Sequence, residues 1–225
     1  MRIAELDAEG PRIDRLYEEI LQPSFPPDEL CTLESVQFLA GSGRGLVWAA
    51  FADDDTILGA AVGDWDPDTR VMLLSWLAVR PGHRGGGIGG PLLDRAMAEW
   101  RTRHDPCLIL AEVEDPAIHE ASEDKGDPVA RLRFYQRRGA RALDIPYFQA
   151  ALGPDKSRVR GLLLMVLHAD PTFAGDQPDT VRGTVIRAYL ETYQRVCEGE
   201  VGTDEESARM FKAIDRPGGV PLRAD

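Results

Sequence analysis

The sequence predicts a mixed α/β (α+β) fold, a sheet flanked by helices with further helices at the C-terminal end. Three observations carry this. Two near-continuous apolar runs, RVMLLSWLAV at 70–79 and CLILAEV at 107–113, fit strands buried on both faces. Each is followed, at some distance, by a helix-like stretch with its own apolar period or end signals. Several strand-like runs precede them with no helix between, so the strict alternation of a doubly wound sheet is absent.

The elements follow in order. MRIAEL alternates and reads as a first strand. IDRLYEEIL sets Ile13, Leu16, Ile20 and Leu21 on one helix face, and PPDELCTLESVQFL reads as a second helix entered through prolines, where they are tolerated. GSGRG at 41–45 is a loop. LVWAAFA and TILGAAVGDW form a hairpin around Asp53, Asp54 and Asp55, a solvated turn rather than a metal site, since no further ligands follow at loop spacing. DPDT turns the chain into RVMLLSWLAV. Ile88, Leu92, Ala96 and Trp100 recur every four residues and mark a helix from about 88 to 103. After CLILAEV comes a polar, irregular loop at 114–128. DPVARLRFYQRRGA is a helix with Asp127 as N-cap, Pro128 in its first turn, Arg137 and Arg138 in its last and Gly139 as stop. IPYFQAAL and RVRGLLLMVLH are two further strands. From Ala169 the character changes. DPTFAGDQPD is a linker, TVRGTVIRAYLETYQRVCEG a helix with Val181, Val185, Ala188, Tyr189 and Val196 near one face, DEESARMFKAI a shorter helix, and DRPGGVPLRAD a fraying tail.

Composition narrows the function classes. A net charge of −12 disfavours nucleic acid and anionic membrane and tolerates cationic small molecules. Cys31, Cys107 and Cys197 are odd in number and far apart, which argues against a disulfide framework; with no span-length apolar run and no signal-peptide pattern, the expected location is cytoplasmic. The four histidines show no metal spacing, so no metal is expected. His104, His119 and His168 read as surface or loop residues. No nucleophile elbow or Cys-His-Asp arrangement points to a covalent enzyme intermediate.

RPGHRGGGIGGPLL at 80–93 concentrates the chemistry. A strand that runs through glycines into a helix builds an anion site: the first helix amides lack intrahelical acceptors, the dipole favours negative charge, and glycines let a phosphate approach the backbone. The lysine loop of nucleotide hydrolases is excluded, because Lys and Ser/Thr are missing. The dinucleotide pattern is literally present as Gly85, Gly87 and Gly90, with Glu112 placed like a ribose-binding acid, so a dinucleotide-dependent oxidoreductase is a rival. Against it, RPGHR separates the strand from the first glycine and no second βαβ half follows. The spacing R-x-x-G-x-G, on Arg84, Gly87 and Gly89, fits better.

LAVRPGHRGGGIGGPLL resembles the coenzyme A signature of the GCN5-related N-acetyltransferase (GNAT) superfamily, and ARLRFYQRRGAR resembles its second signature, a helix ending F-Y-x-x-x-G. The resemblance covers about residues 1–168, as in a bacterial member with a C-terminal helical extension at 169–225. It implies a GNAT-like, mostly antiparallel sheet with a splayed parallel strand pair. It also implies transfer of an acetyl or other acyl group from acetyl-CoA to a primary amine by direct attack in a ternary complex. On this resemblance Leu77 and Val79 flank the pantetheine arm, and the backbone of Arg84, Gly85, Gly86, Gly87, Ile88, Gly89 and Gly90 cradles the pyrophosphate. Tyr135 matches the thiolate-protonating tyrosine, with Phe134 beside it a core residue. Glu112 matches a general-base position of some relatives; the strand at 70–79 offers only Ser75 instead. Glu114 and Asp115 are candidates for binding a cationic amine. A non-catalytic acyl-CoA-binding sensor is the alternative, with the C-terminal helices as a partner or homodimer contact.

Overall fold

The structure, a computed structural model, describes residues 1–6, 11–122 and 126–223. The centre of the polar loop, 123–125, and the last two residues of the expected tail lie outside it. The chain forms two compact units, Met1–Asp66 with Met72–Asp105, and Pro67–Val71 with Pro106–Asp225.

The first unit holds β1 (Arg2–Glu5), α1 (Pro11–Leu16), α2 (Leu33–Gly41), β2 (Gly45–Phe51), β3 (Ile57–Asp66), β4 (Val71–Val79) and α3 (Gly89–His104), with strand order β1-β2-β3-β4. β1 pairs antiparallel with β2, and β2 with β3, with a bulge between Ala50 and Phe51. The core on one side joins Ile13, Leu16, Ile20 and Leu21 to Val47, Ala49, Phe51, Ile57 and Trp76, so the expected face of the first helix is the buried one. That helix passes at Tyr17 into a π-helical turn to Leu21. The second expected helix is shorter than its sequence suggested. Pro27–Glu29 is a single 3₁₀ turn, Leu30 is extended, and the helix starts after Thr32, whose hydroxyl accepts the Ser35 N–H at 3.3 Å. A satisfied cap three residues before Ser35 sets the start more firmly than the prolines do.

α3 follows its predicted period, with Leu92, Leu93, Ala96 and Trp100 buried and Ile88 half-exposed just ahead of it. Trp100 lies directly on β3: a Cβ at Gly63 would stand 2.7 Å from its ring, so only glycine lets the indole, and hence the helix, come this close. Burial of that indole seats the second half of α3 against β3.

The second unit holds β5 (Leu108–Glu114), α4 (Pro128–Gln136), β6 (Arg141–Ala142), β7 (Phe148–Gln149), β8 (Val159–Arg160), β9 (Leu162–Ala169), β10 (Thr180–Val181), α5 (Gly183–Glu198), α6 (Glu205–Ile214) and β11 (Val220–Pro221). Its main strands run β5-β9-β6, both pairs antiparallel. α4 is built as read, with the Asp127 carboxylate accepting the Val129 N–H at 2.8 Å and Gly139 at φ +81°. The fold class is thus the expected one, mixed α/β with antiparallel pairing in each unit; the expected parallel pair, β4 and β5, has one strand in each.

Four further expectations change. RVRGLLLMVLH is two strands, because Gly161 turns the chain at φ +75° and β8 leaves to pair with β7. IPYFQAAL contributes only Phe148–Gln149 as strand. In α5 the buried residues are Val185, Ile186, Tyr189, Leu190 and Gln194, an arc centred one residue further round than expected, so Ala188 and Val196 are exposed. The tail does not fray at Val220: it is fully buried, β11 pairs with β10, and the Arg223 N–H bonds Ala142 O at 2.8 Å.

Among the contacts that tie residues 169–223 to the rest of the second unit is a charged clamp. Arg158 donates to both Glu198 oxygens at 2.7 and 2.6 Å and to Asp204 at 2.8 Å, with its guanidinium 4.5 Å above the Phe148 ring. Glu198 closes α5 and Asp204 caps α6, where it accepts the Glu206 and Ser207 N–H groups. No helix among the described residues is long and apolar enough to cross a membrane.

Candidate functional site: a glycine-lined helix start and a tyrosine-held carboxylate

In the first unit, β4 is buried at Met72, Leu73 and Leu74 but opens towards its end, where Ser75, Leu77 and Val79 are half-exposed and alternate with buried Trp76 and Ala78. The exit is anchored. The Arg80 N–H bonds Leu58 O at 2.8 Å, and its guanidinium reaches Ile57 O at 2.5 Å and the Glu19 carboxylate. The chain then turns, with the His83 N–H on Arg80 O and the Gly86 N–H on His83 O.

Gly82, Gly85 and Gly87 have φ of +82°, +80° and +75°, and a Cβ on any of them would meet nothing within 4 Å. These glycines are therefore required by backbone conformation and not by crowding from the protein, and space stays open above them for a bulky group. His83, Arg84, Gly85, Gly86 and Gly87 are exposed; Ile88, Gly89 and Gly90 are half-buried, with Gly89 over the Val79 side chain, 3.6 Å from its would-be Cβ. No side chain caps α3, and its first intrahelical bond runs from Leu92 N–H to Ile88 O. With Pro91 lacking an N–H, the amides of Gly89 and Gly90 lie ahead of that bond, at the positive end of the dipole. Conformation, open space and unopposed dipole fit a phosphate-bearing ligand such as coenzyme A. The predicted set from Leu77 to Gly90 is thus one continuous feature.

In the second unit, Glu112 is half-exposed on β5, opposite Leu164 of β9. The Tyr147 hydroxyl donates to its Oε1, and the Tyr193 hydroxyl stands 3.5 Å from the same oxygen. Tyr193 stacks on Tyr189 at 6.0 Å and 9°. Burial, and next the negative charge of Glu112, raise both Tyr147 and Tyr193 well above the usual phenol value, so both hold their protons. Neither tyrosine was singled out from the sequence. The i, i+4 pair Tyr189/Tyr193 was the one local signal; Tyr147 left none.

Tyr135 lies on α4, buried at 6% exposure. Burial pushes its phenol up to about 12, against the opposing pull of Arg131 and Arg138. Phe134, expected in the core, is instead half-exposed, edge-on to Tyr135 and covered by the Arg138 guanidinium at 4.3 Å. The two candidate amine-binding acids are engaged: Glu114 is buried and paired with Arg131 at 2.7 Å, and Asp115 accepts the Ala117 N–H and lies 4.0 Å from Arg223. His104 is half-buried against Trp65 at 5.0 Å, and burial lowers its pKa; His119 is half-buried beside Gly161. The Cys107 thiol, buried and donating to Thr69 O, is pushed up to about 11, which makes it a poor nucleophile. Among the described residues no group of three or more potential ligands could hold a metal ion.

Residues 43–139 match the acetyltransferase (GNAT) domain family model. No curated protein matches the chain significantly. Solved structures share its fold. A GNAT-family protein of Bacteroides thetaiotaomicron is 24% identical with a TM-score of 0.60, over 86% of this chain and 99% of its own. The ribosomal-protein-S18-alanine N-acetyltransferase of Escherichia coli is 16% identical with a TM-score of 0.51, over 76% and 97%. A GNAT family acetyltransferase of Elizabethkingia anophelis with acetyl-CoA bound is 18% identical with a TM-score of 0.51, over 74% and 97%. The matched segment contains the glycine-lined helix start, β5 with Glu112 and α4 with Tyr135. Over residues 43–139 the chain is thus similar to the acetyltransferase (GNAT) domain family, and over most of its length it shares the fold of GNAT-family structures.

Proposed function

We propose that the protein is an N-acyltransferase that moves an acetyl group from acetyl-CoA to a primary amine, with residues 1–168 as the acyltransferase domain and 169–225 as an extension of it. The observation that carries this reading is the junction of β4 and α3: positive φ at Gly82, Gly85 and Gly87 with open space above them, at a helix start that no side chain caps, inside the family match. Within Arg84 to Gly90, amides other than that of Gly86, which His83 O accepts, take the pyrophosphate, and the half-exposed end of β4 at Leu77 and Val79 borders the pantetheine arm.

Acetyl-CoA supplies the activated thioester carbonyl. The chain supplies two proton functions in its second unit. Glu112 serves as base for the attacking amine. Tyr135 serves as a neutral donor to the leaving sulfur. With a phenol at about 12 against a thiol near 8.5, complete proton transfer from Tyr135 would be uphill by roughly 5 kcal/mol. Its contribution is therefore a hydrogen bond to the developing thiolate, not full ionisation. Net charge of −12 favours a cationic acceptor.

The test is thiol release from acetyl-CoA over a panel of polyamines, aminoglycosides and peptides with free N-termini, alongside calorimetric titration with acetyl-CoA and NADH. Binding of acetyl-CoA with amine-dependent thiol release is expected. Binding of acetyl-CoA without release from any amine would favour the sensor reading, and preference for NADH would overturn both.

A further inference from the structure

The carboxylate assigned as base is held by residues that lie outside the family match. Tyr147 just precedes β7, and Tyr193 lies on α5, beyond residue 139 in both cases. Both hydroxyls converge on a single oxygen, Glu112 Oε1, from different elements, the Tyr193 contact being long at 3.5 Å. Tyr147 is buried at 7% exposure and Tyr189, stacked on Tyr193, at 5%, so these rings have little room to turn away. The clamp of Arg158 on Glu198 and Asp204 sets the C-terminal end of α5, one turn beyond Tyr193. Tyr189 and Cys197, also on α5, are further titratable groups facing this cluster.

We infer that Tyr147 and Tyr193 are positioning residues for Glu112: their hydroxyls fix Oε1 and stabilise its ionised form, Tyr147 from within the domain and Tyr193 from the C-terminal extension. The role in turnover rests on the acyl-transfer reading above; the coupling of phenols to carboxylate does not. A hydroxyl that donates to a carboxylate favours the charged form, and the shorter contact does so more strongly. Removing the hydroxyl while keeping the ring therefore raises the pH at which Glu112 takes up a proton, and more so at Tyr147 than at Tyr193.

The experiment is a pH titration of the full-length chain by carbon-13 NMR with label at the glutamate side-chain carboxyl, the Glu112 resonance being identified by its loss in Glu112→Gln. Tyr147→Phe is expected to raise the Glu112 midpoint by about one pH unit, and Tyr193→Phe by less than half of that. A purely structural role for the rings would leave the midpoint in place, since phenylalanine keeps the packing. Unmoved midpoints in both variants overturn the inference. Should Tyr147→Phe fail to fold, Tyr193→Phe, at a half-exposed position, decides alone on whether its midpoint rises. Failure of the acyl-transfer reading appears elsewhere, as a wild-type chain that does not bind acetyl-CoA, and leaves this titration intact.

Discussion

Gly87→Ala isolates what the glycine loop does. At Gly87 φ is +75° and a Cβ would meet nothing within 4 Å. Alanine therefore fits without a clash, and its cost is the left-handed backbone alone, about 1–2 kcal/mol. An exposed loop can relax that strain locally in the free chain, and the stiffer unfolded chain returns roughly 0.4–1 kcal/mol. Global stability should hardly move, by no more than about 4 °C in Tm. A ligand that needs the original loop geometry must restore the strained φ, and that free energy is lost from binding. One to two kcal/mol corresponds to a rise in the acetyl-CoA Kd of about 5- to 30-fold. Isothermal titration calorimetry on wild type, Gly87→Ala and Gly82→Ala measures this. Gly82 has the same backbone requirement and the same open surroundings but precedes Arg84, so its variant should lose less than about 3-fold. Equal Kd for Gly87→Ala and wild type, or equal losses at both positions, would refute the pyrophosphate cradle.

Tyr135→Phe should lower kcat by about 10- to 100-fold, the value of one hydrogen bond to a charged group, and change the acetyl-CoA Kd by less than about 3-fold; steady-state kinetics beside calorimetry separates the two, and unchanged kcat would remove Tyr135 from the chemistry. Arg158→Ala strands two carboxylates of which Glu198 is only 14% exposed, so a loss of about 2–3 kcal/mol and a Tm lower by roughly 4–12 °C are expected, read by differential scanning calorimetry. Acid should act through the same clamp. Arg158 holds Glu198 below its usual value, and the Ser207 N–H, then Arg158, hold Asp204 below its own. Depressed carboxylates contribute stability that is complete above their unfolded values near 4 and is lost as pH falls through the folded ones. Urea unfolding of wild type should weaken from about pH 5 downwards, and less steeply in Arg158→Ala.

Local order was legible where one residue type leaves one solution. The four-residue period of Leu92, Ala96 and Trp100, the Asp127 cap ahead of Pro128 and the stop at Gly139 were read from the chain and stand in the structure. So does the glycine-lined entry to α3, since backbone conformation is encoded at the glycines themselves. Burial was less legible. The order of Phe134 and Tyr135 in the core reverses because Arg138 lies over Phe134, and the buried arc of α5 turns by one residue because its partners come from elsewhere in the fold.

The sequence by itself determined the order of the main elements as far as α4, the glycine geometry of the helix start and the family motifs, all of which depend on residues a few positions apart. The tertiary structure decided what surrounds Glu112. Its phenol partners lie 35 and 81 residues away, and the clamp that sets the end of α5 joins residues 40 and 46 apart. Hydrophobic periodicity reports which face of an element is buried, but not which distant side chain arrives there, because that depends on how β7 and α5 pack within the second unit.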